Sequence, residues 1–288
     1  MTRRIFLSTY FCLFALVGFS GCVQPQERYT SVLSFTQAEE KLLSPDILAQ
    51  AKGNHLALLA RSAESYRAMK IRDYTCTFVK QETLSGQLRP EQQVAVKFMP
   101  SPFSIAMIWT KNAPLGDRLI FVQGQYKDAK GQSRMLVRPK GGLAQLLAGK
   151  SVLKLPDGPD AMRNTLRPCT KFGFENSIAS LIEVYKLAEK NGDLVGQAFL
   201  GTTEVAGQKC IVLQRVLANR DGANYPAKTT EICLDIKTLL PMRIVGYDWN
   251  NNFSCNYEFR DVKFNTGLSA KDFTPKANGI APPKKSKK

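Results

Sequence analysis

The stretch Tyr74-Thr75-Cys76-Thr77-Phe78-Val79 decides the fold class, because its side chains alternate with a period of two residues. Such alternation is typical of a strand with two different faces. Nine further segments alternate in the same way, at residues 94–98, 103–109, 117–123, 134–138, 197–204, 209–216, 228–236, 242–249 and 253–264. Short breaks that contain Gly, Pro or Asn separate most of them, which favours an antiparallel meander over βαβ units.

Two segments have the apolar spacing of an amphipathic helix. The first begins at Ser44-Pro45-Asp46, where Ser suits the N-cap and Pro the first turn, and extends to Met69. The second covers residues 176–190 and ends before Gly192, a typical C-terminal stop. Residues 141–158 are rich in Gly, Leu and Lys and show neither period.

These elements predict an α+β fold, with a strongly curved antiparallel β-sheet of about ten strands covered by two or so helices. A half-barrel of this kind leaves an apolar cavity between the sheet and the helices. We place this single domain at residues 44–275. The cavity candidates are apolar residues of the first strands, and their alternative role is ordinary core packing. They are Met99, Phe103, Met107, Trp109 and Phe121.

The N-terminus has the order of an export signal, with Arg3 and Arg4 before an apolar run over residues 5–19. This run is shorter than the ~20 residues that cross a bilayer, so cleavage is favoured over a transmembrane helix. We therefore predict a signal peptide at residues 1–21 and a lipid anchor with its tether at residues 22–43.

Phe19-Ser20-Gly21-Cys22 resembles the lipobox of bacterial lipoproteins, although Phe19 stands where Leu is usual. The resemblance implies that Cys22 becomes the new N-terminus and is acylated, with palmitate among the acyl chains, which anchors the protein to a membrane. Val23 follows where an inner-membrane retention signal has Asp, so the resemblance implies the outer membrane, facing the periplasm. The alternative is an ordinary signal peptide with an incidental cysteine.

Export permits disulfides, and five cysteines follow Cys22. If the hairpin of 209–216 and 228–236 is symmetric about Asp221-Gly222, Cys210 faces Cys233 at the ~5.5 Å between Cα atoms that a disulfide needs. We therefore predict a Cys210–Cys233 disulfide, with coincidental pairing of two small buried residues as its alternative.

The net charge of +16 favours acidic partners, such as anionic lipids or an anionic envelope polymer. Export argues against nucleic acid. The tail at residues 276–288 contains Pro282-Pro283 and several lysines, and its composition predicts disorder.

The sequence offers no site for a cofactor or a metal ion and little for catalysis. His55 is the only histidine, and neither Cys-x-x-Cys spacing nor a complete phosphate-binding loop occurs. Glu231, Cys233 and Asp235 share one strand face, which leaves a carboxylate-based hydrolase as an alternative. The favoured interpretation is a non-enzymatic protein.

Several motifs resemble one family. They are Tyr74-Thr75-Cys76-Thr77-Phe78-Val79-Lys80-Gln81-Glu82, Pro102-Phe103-Ser104, Phe121-Val122-Gln123-Gly124, Tyr257-Glu258-Phe259-Arg260-Asp261-Val262-Lys263-Phe264-Asn265 and Asp272-Phe273-Thr274-Pro275. Together they resemble the bacterial domain of unknown function 1571, found in exported proteins and lipoproteins, over about residues 56–275. The resemblance brings no established activity and no catalytic residues.

The segment Leu240-Pro241-Met242-Arg243-Ile244 more loosely resembles the outer-membrane lipoprotein-sorting and carrier superfamily. That resemblance implies a half-open barrel with a cavity for acyl chains, although a fold does not fix a function. We therefore predict an envelope lipoprotein that binds an apolar or acylated ligand. The alternatives are a structural module for an anionic envelope polymer and a carboxylate-based hydrolase.

Overall fold

One large sheet dominates the part of the chain that the structure describes. The structure is a computed structural model, and it describes residues 43–148 and 150–282. The predicted signal peptide, the predicted acylation site Cys22 and residues 283–288 lie outside this part. Within it the strands are β1 (Tyr74–Leu84), β2 (Gln87–Leu88), β3 (Gln92–Met99), β4 (Ser104–Lys111), β5 (Gly116–Val122), β6 (Met135–Pro139), β7 (Val152–Lys154), β8 (Leu194–Val205), β9 (Gln208–Leu217), β10 (Thr229–Asp235), β11 (Pro241–Tyr247) and β12 (Phe253–Phe264).

The sheet consists of two antiparallel meanders that meet in its middle. The strand order is β7-β6-β5-β4-β3-β1-β12-β11-β10-β9-β8, and β2 pairs with the end of β1. Every paired neighbour is antiparallel. The sheet does not close, because β7 and β8 remain its two edges. The predicted curved antiparallel half-barrel is confirmed, with twelve described strands where about ten were predicted.

Two helical regions cover one face of the sheet. The helices of the described residues are α1 (Pro45–Gly53), α2 (His55–Ala68), α3 (Gly142–Ala148), α4 (Pro159–Met162) and α5 (Phe174–Asn191), with 3-10 turns at Cys169–Lys171, Ala270–Phe273 and Lys276–Asn278. The first predicted helix is divided in two at Asn54, whose side-chain oxygen accepts a hydrogen bond from the Ala57 N–H at 2.9 Å. Asn54 thus caps α2 immediately after α1 ends.

Alternation along the strands produces the core under these helices. Helices α2 and α5 pack against β9 and β10 through one buried cluster, which includes Leu58, Leu59, Leu181, Tyr185, Leu213 and Ile232. Nearer the middle of the sheet, the start of α5 packs on β12, where the rings of Phe174 and Phe259 stack with centroids 4.3 Å apart. We call this helix-covered side of the sheet the inner face.

Gly173 lets the chain enter α5 close to the sheet. Its φ is 112° and its ψ 158°, a region that is nearly restricted to glycine. A Cβ at this position would lie 3.1 Å from a ring carbon of Phe98 and 3.3 Å from the hydroxyl of Tyr74. Glycine is therefore required both by the backbone angles and by the close approach.

The C-terminal segment covers part of the opposite face. Phe273 and Ile280 are buried against apolar side chains of β4, β5 and β6. The Asn278 side chain donates hydrogen bonds to the carbonyls of Asp272 and Thr274 at 2.8 and 2.9 Å. The predicted disordered tail therefore does not begin at residue 276, because residues 276–280 contribute a turn and a core residue.

The register of β9 and β10 differs by two residues from the symmetric hairpin. Cys210 faces Asp235, and Cys233 faces Val212. The two cysteines are therefore diagonal neighbours, for which ~7–8 Å is typical and too long for a disulfide. Both thiols are free in the structure, so the geometry behind the predicted disulfide was wrong.

The loop of this hairpin is tied to Asp193. Tyr225, in the second half of the loop, is buried, and its hydroxyl donates a hydrogen bond to Asp193 at 2.7 Å. Arg220, in the first half, donates to the same carboxylate at 2.7 and 2.9 Å, so Asp193 holds both halves of the loop. Because the shift is even, each side chain keeps its predicted face, and Ile211 and Ile232 still share one cluster.

Candidate functional site

A cavity of about 590 Å³ lies against the inner face at the β1–β7 side of the sheet. Its other wall is residues 156–173, which include α4 and the 3-10 turn before α5, and which we call the cover segment. The cavity thus has a rigid strand wall and a wall of short turns.

The strand wall is apolar because consecutive strands place matched side chains side by side. Met107 of β4 faces Leu119 of β5, which faces Val137 of β6, which in turn faces Val152 of β7. Phe78 and Trp109 flank this row, and all six residues line the cavity. A continuous apolar ladder of this kind presents a surface that water hydrates poorly.

The five predicted cavity residues divide into three groups. Met107 and Trp109 line the cavity. Phe103 and Phe121 lie on the same side of the sheet but pack on each other in the adjacent core, with ring centroids 5.9 Å apart. Met99 contacts the core of the opposite face, because it follows Phe98 on an alternating strand.

Trp109 is fixed in the cavity wall by one hydrogen bond. Its indole N–H donates to the side-chain oxygen of Gln92 at 2.8 Å. The polar edge of the ring is therefore satisfied by the protein, and the rest of the ring is available for apolar contacts.

A buried polar cluster joins the strand wall to the cover segment. Lys80 and Glu82 form an ion pair at 2.9 Å, with side chains 10% and 2% exposed. The Tyr257 hydroxyl and the Leu166 backbone N–H donate to the same oxygen of Glu82, at 2.7 and 3.2 Å. Lys80 also donates to the Thr165 hydroxyl at 3.0 Å. Glu82 therefore holds residues 165–166 of the cover segment against β1 and β12.

Sequence reasoning missed this cluster, although β1 contains a signal for it. Lys80 and Glu82 continue the face of Phe78 at two-residue steps, so two opposite charges follow directly on an apolar strand face. Charged residues on a buried face are retained when they are paired. Their partners Thr165 and Tyr257 are distant in the sequence, and no local pattern connects them.

Tyr257 and Cys255 provide weakly acidic groups at this end of the site. Burial raises the pKa of the Tyr257 phenol well above its usual value and that of the Cys255 thiol to about 11. The nearby guanidinium of Arg167 acts in the opposite direction on both groups. Both side chains are therefore protonated and neutral at physiological pH.

The remaining sequence candidates have structural roles away from the cavity. The Nε2–H of His55 donates to the Ala51 carbonyl at 2.8 Å, so Nδ1 accepts from the Tyr185 hydroxyl, also at 2.8 Å. Burial lowers the pKa of His55, and the charge of Arg215 adds to this effect. One carboxylate oxygen of Asp235 accepts from the backbone N–H groups of Lys237 and Thr238, so Asp235 stabilises a turn.

Neither a cluster of metal ligands nor a membrane-spanning helix occurs among the described residues. Within this part of the chain, His, Cys, Asp and Glu side chains do not gather in threes around a point where an ion would fit. Each helix in residues 43–148 and 150–282 is too short or too polar to cross a lipid bilayer.

Comparison with known proteins identifies the family. The family model described as "Protein of unknown function (DUF1571)" matches residues 71–280, which is most of the chain. The protein therefore belongs to the DUF1571 family, as the sequence motifs predicted. A search of curated proteins finds no match.

Three solved structures illustrate the wider likeness. MucB of Pseudomonas aeruginosa, in complex with MucA, is 15% identical with a TM-score of 0.44, over 77% of this chain and 61% of that chain. Lipoprotein LppX of Mycobacterium tuberculosis is 12% identical with a TM-score of 0.40, over 74% and 97%. A LolA superfamily protein of Nitrosomonas europaea is 10% identical with a TM-score of 0.32, over 77% and 97%. TM-scores below 0.5 make these distant likenesses of architecture.

Proposed function

We propose that this DUF1571 protein binds one apolar or acylated ligand in the cavity between its half-barrel and the cover segment, and that it does so without catalysis. The observation that carries this proposal is the cavity itself. Its volume of about 590 Å³ falls within the ~300–1,000 Å³ of small-molecule sites. Each methylene group that enters such a site gains about 0.8 kcal/mol.

The polar groups of the cavity also support binding over catalysis. Glu82 is committed to structural hydrogen bonds, and Trp109 is satisfied by Gln92. Among the described residues that line the cavity, Asp160 contributes the carboxylate, and it forms ion pairs with Lys154 and Arg163. A carboxylate-based hydrolase would need a second acid within reach of the substrate.

The cellular setting is a further part of the proposal. We infer from the lipobox-like segment that Cys22 is acylated and that the protein is anchored in the outer membrane, facing the periplasm. Mass spectrometry of the mature N-terminus tests this separately from ligand binding. An unmodified Cys22, or cleavage at another residue, would remove the anchor.

Tryptophan fluorescence provides a direct test of ligand binding. The chain has two tryptophans, Trp109 in the cavity wall and Trp249 elsewhere. In a Cys22→Ser, Trp249→Phe protein, Trp109 is the single tryptophan, and no acyl chain of the protein can occupy the cavity. We expect a fluorescent fatty acid analogue to bind saturably and to quench Trp109 by energy transfer.

Two substitutions at the same position provide the control for this assay. Trp109→Phe keeps an aromatic wall, so the analogue should still bind. Binding is measured here from the emission of the analogue itself. Trp109→Glu places a carboxylate in the apolar wall, and binding should be lost while circular dichroism and the melting temperature show a folded protein. Absence of saturable binding to the parent protein, or equal binding by both variants, would contradict the proposal.

A further inference from the structure

The lining of the cavity is strongly asymmetric in charge. Among the described residues that line it, six side chains are cationic and one is a carboxylate, Asp160. The cations are Lys80, Lys140, Lys154, Arg163, Arg167 and Lys171. An apolar cavity with this lining repels cationic ligands and attracts anionic ones.

Three of the six cations have a carboxylate partner within the protein. Lys80 pairs with Glu82 at 2.9 Å. Lys154 and Arg163 both contact Asp160, the latter at 3.7 Å. These three cations share two carboxylates, Glu82 and Asp160, so each has an ion-pair partner within the protein and one net positive charge remains.

The other three cations have no carboxylate within ion-pair distance among the described residues. Lys140 donates to the neutral Ala113 carbonyl at 3.0 Å, which leaves its charge uncompensated. Lys140 and Lys171 both line the cavity and are exposed to solvent, so they lie at its opening. Leu115 also lines the cavity and is 70% exposed, so it lies at the opening as well.

Arg167 lines the cavity beside two of its aromatic rings. It is half-buried, and its guanidinium carbon lies 5.6 Å from the ring centroid of Tyr257. The Tyr257 ring in turn stacks on Phe78 at 6.0 Å, and both rings line the cavity. The Thr165 hydroxyl donates to the Arg167 carbonyl at 3.0 Å, which fixes the backbone of this residue.

This arrangement matches an amphiphile with one acyl chain and a small anionic head group. We propose that the ligand is a long-chain fatty acid, whose carboxylate is bound by Arg167 while its chain lies along the Met107 side of the cavity, and that Lys140 and Lys171 add positive charge to the lining. This inference rests on the proposed function and specifies its ligand. A guanidinium suits a carboxylate because it offers two parallel N–H donors. An acidic polymer would meet the same cations but would leave the apolar ladder unfilled.

Three ligands with the same sixteen-carbon chain separate the role of the head group from that of the chain. Hexadecanoate, hexadecanol and protonated hexadecylamine would each displace a neutral fluorescent probe from the Cys22→Ser protein, below their aggregation concentrations. We expect hexadecanoate to bind about tenfold or more tighter than the alcohol, and the amine to bind most weakly. Equal affinity for the acid and the alcohol would overturn the head-group inference but leave the proposed function standing. Binding of none of the three would refute both.

Variants at the opening test the named residues. Arg167→Gln, and more strongly Arg167→Gln with Lys171→Gln, should lose most of the preference for the acid while hexadecanol binds as before. Lys186→Gln on the exposed side of α5 removes the same charge elsewhere and should change neither ligand. Equal loss of acid and alcohol in Arg167→Gln would show a structural role and contradict the inference. Stronger displacement by a diacyl anionic phospholipid than by hexadecanoate would contradict the single-chain ligand.

Discussion

Removal of the charge on Glu82 tests how the cover segment is held over the cavity. In Glu82→Gln the side chain keeps its size and an oxygen that accepts from Tyr257 and Leu166. The substitution removes the countercharge of Lys80, whose side chain is 10% exposed, and replaces the oxygen that accepts from its ammonium group by an NH2 donor. An ammonium group at this depth then lacks a carboxylate, and water reaches it poorly.

The expected loss is large because the partner charge stays buried. Breaking one side of a buried ion pair typically costs about 3–5 kcal/mol, and the retained hydrogen bonds place Glu82→Gln near the lower limit. In a chain of this size each kcal/mol lowers the melting temperature by about 2–4 °C. Lys80→Met combined with Glu82→Gln removes both charges, so it should be clearly more stable than Glu82→Gln alone.

Urea denaturation of the parent, the two single variants and the double variant gives the coupling energy between the two positions. Amide hydrogen exchange adds a local reading, because the Leu166 N–H donates to Glu82 and should exchange faster in Glu82→Gln. A Glu82→Gln protein within about 0.5 kcal/mol of the parent would refute the reasoning. Additive single and double losses would refute it as well, since they would show that the pair does not couple.

Three other features give measurable consequences. Gly173→Ala should lower the free energy of unfolding by about 1–3 kcal/mol, because the φ of 112° is nearly restricted to glycine and because the Cβ of alanine would crowd Phe98 and Tyr74 in the β1–β3 core. Burial holds the pKa of His55 below its ordinary value of 6.5, so the native state binds fewer protons than the unfolded state. The free energy of unfolding should therefore be at its full value above pH 6.5 and fall as the pH drops through this value, and urea titrations of parent and His55→Asn should differ in this slope. Burial raises the pKa of the Cys210 thiol to about 12 and also that of Cys233, so iodoacetamide at pH 8 should modify neither in the native protein and both after unfolding.

Each of these three predictions has its own control. Gly192→Ala changes a glycine with φ 71° and no atom within 4 Å of the added Cβ, so only the backbone penalty of about 1–2 kcal/mol applies. An equal loss at both glycines would mean that contact with the core at Gly173 is unimportant. An unchanged slope below pH 6.5 in His55→Asn would assign that slope to other groups. Recovery of Cys210 and Cys233 as one disulfide-linked peptide would contradict the free thiols.

Local periodicity predicted most of the fold, and the misses have local causes. Period-two alternation located ten of the strands because each has one buried face. β2 and β7 were missed because two- and three-residue strands are shorter than any period. The first helix was predicted as continuous because Leu and Ala dominate on both sides of Asn54, whose capping role depends on its backbone angles.

The residues of the cavity were also predicted only in part from the sequence. Alternation correctly placed Phe103, Met107, Trp109 and Phe121 on one face, and it should have placed Met99 on the other. Alternation does not tell which part of a face is filled by neighbouring rings and which part faces a space. The hairpin register failed because the prediction assumed a loop symmetric about Asp221-Gly222, whereas the loop is held by contacts of Arg220 and Tyr225 with Asp193, which no spacing in the strands records.

The sequence by itself determined the class of fold, the face of nearly every strand residue, the family and the features that predict export. These depend on neighbours along the chain, where spacing of two or 3.6 residues is directly visible. Only the tertiary structure brought Lys80, Glu82, Thr165 and Tyr257 into one cluster and placed uncompensated cations at the opening of an apolar cavity. Those contacts join residues that are 85 to 175 positions apart in the sequence. They form only when many strands have paired and the sheet has curved, and no local spacing records this.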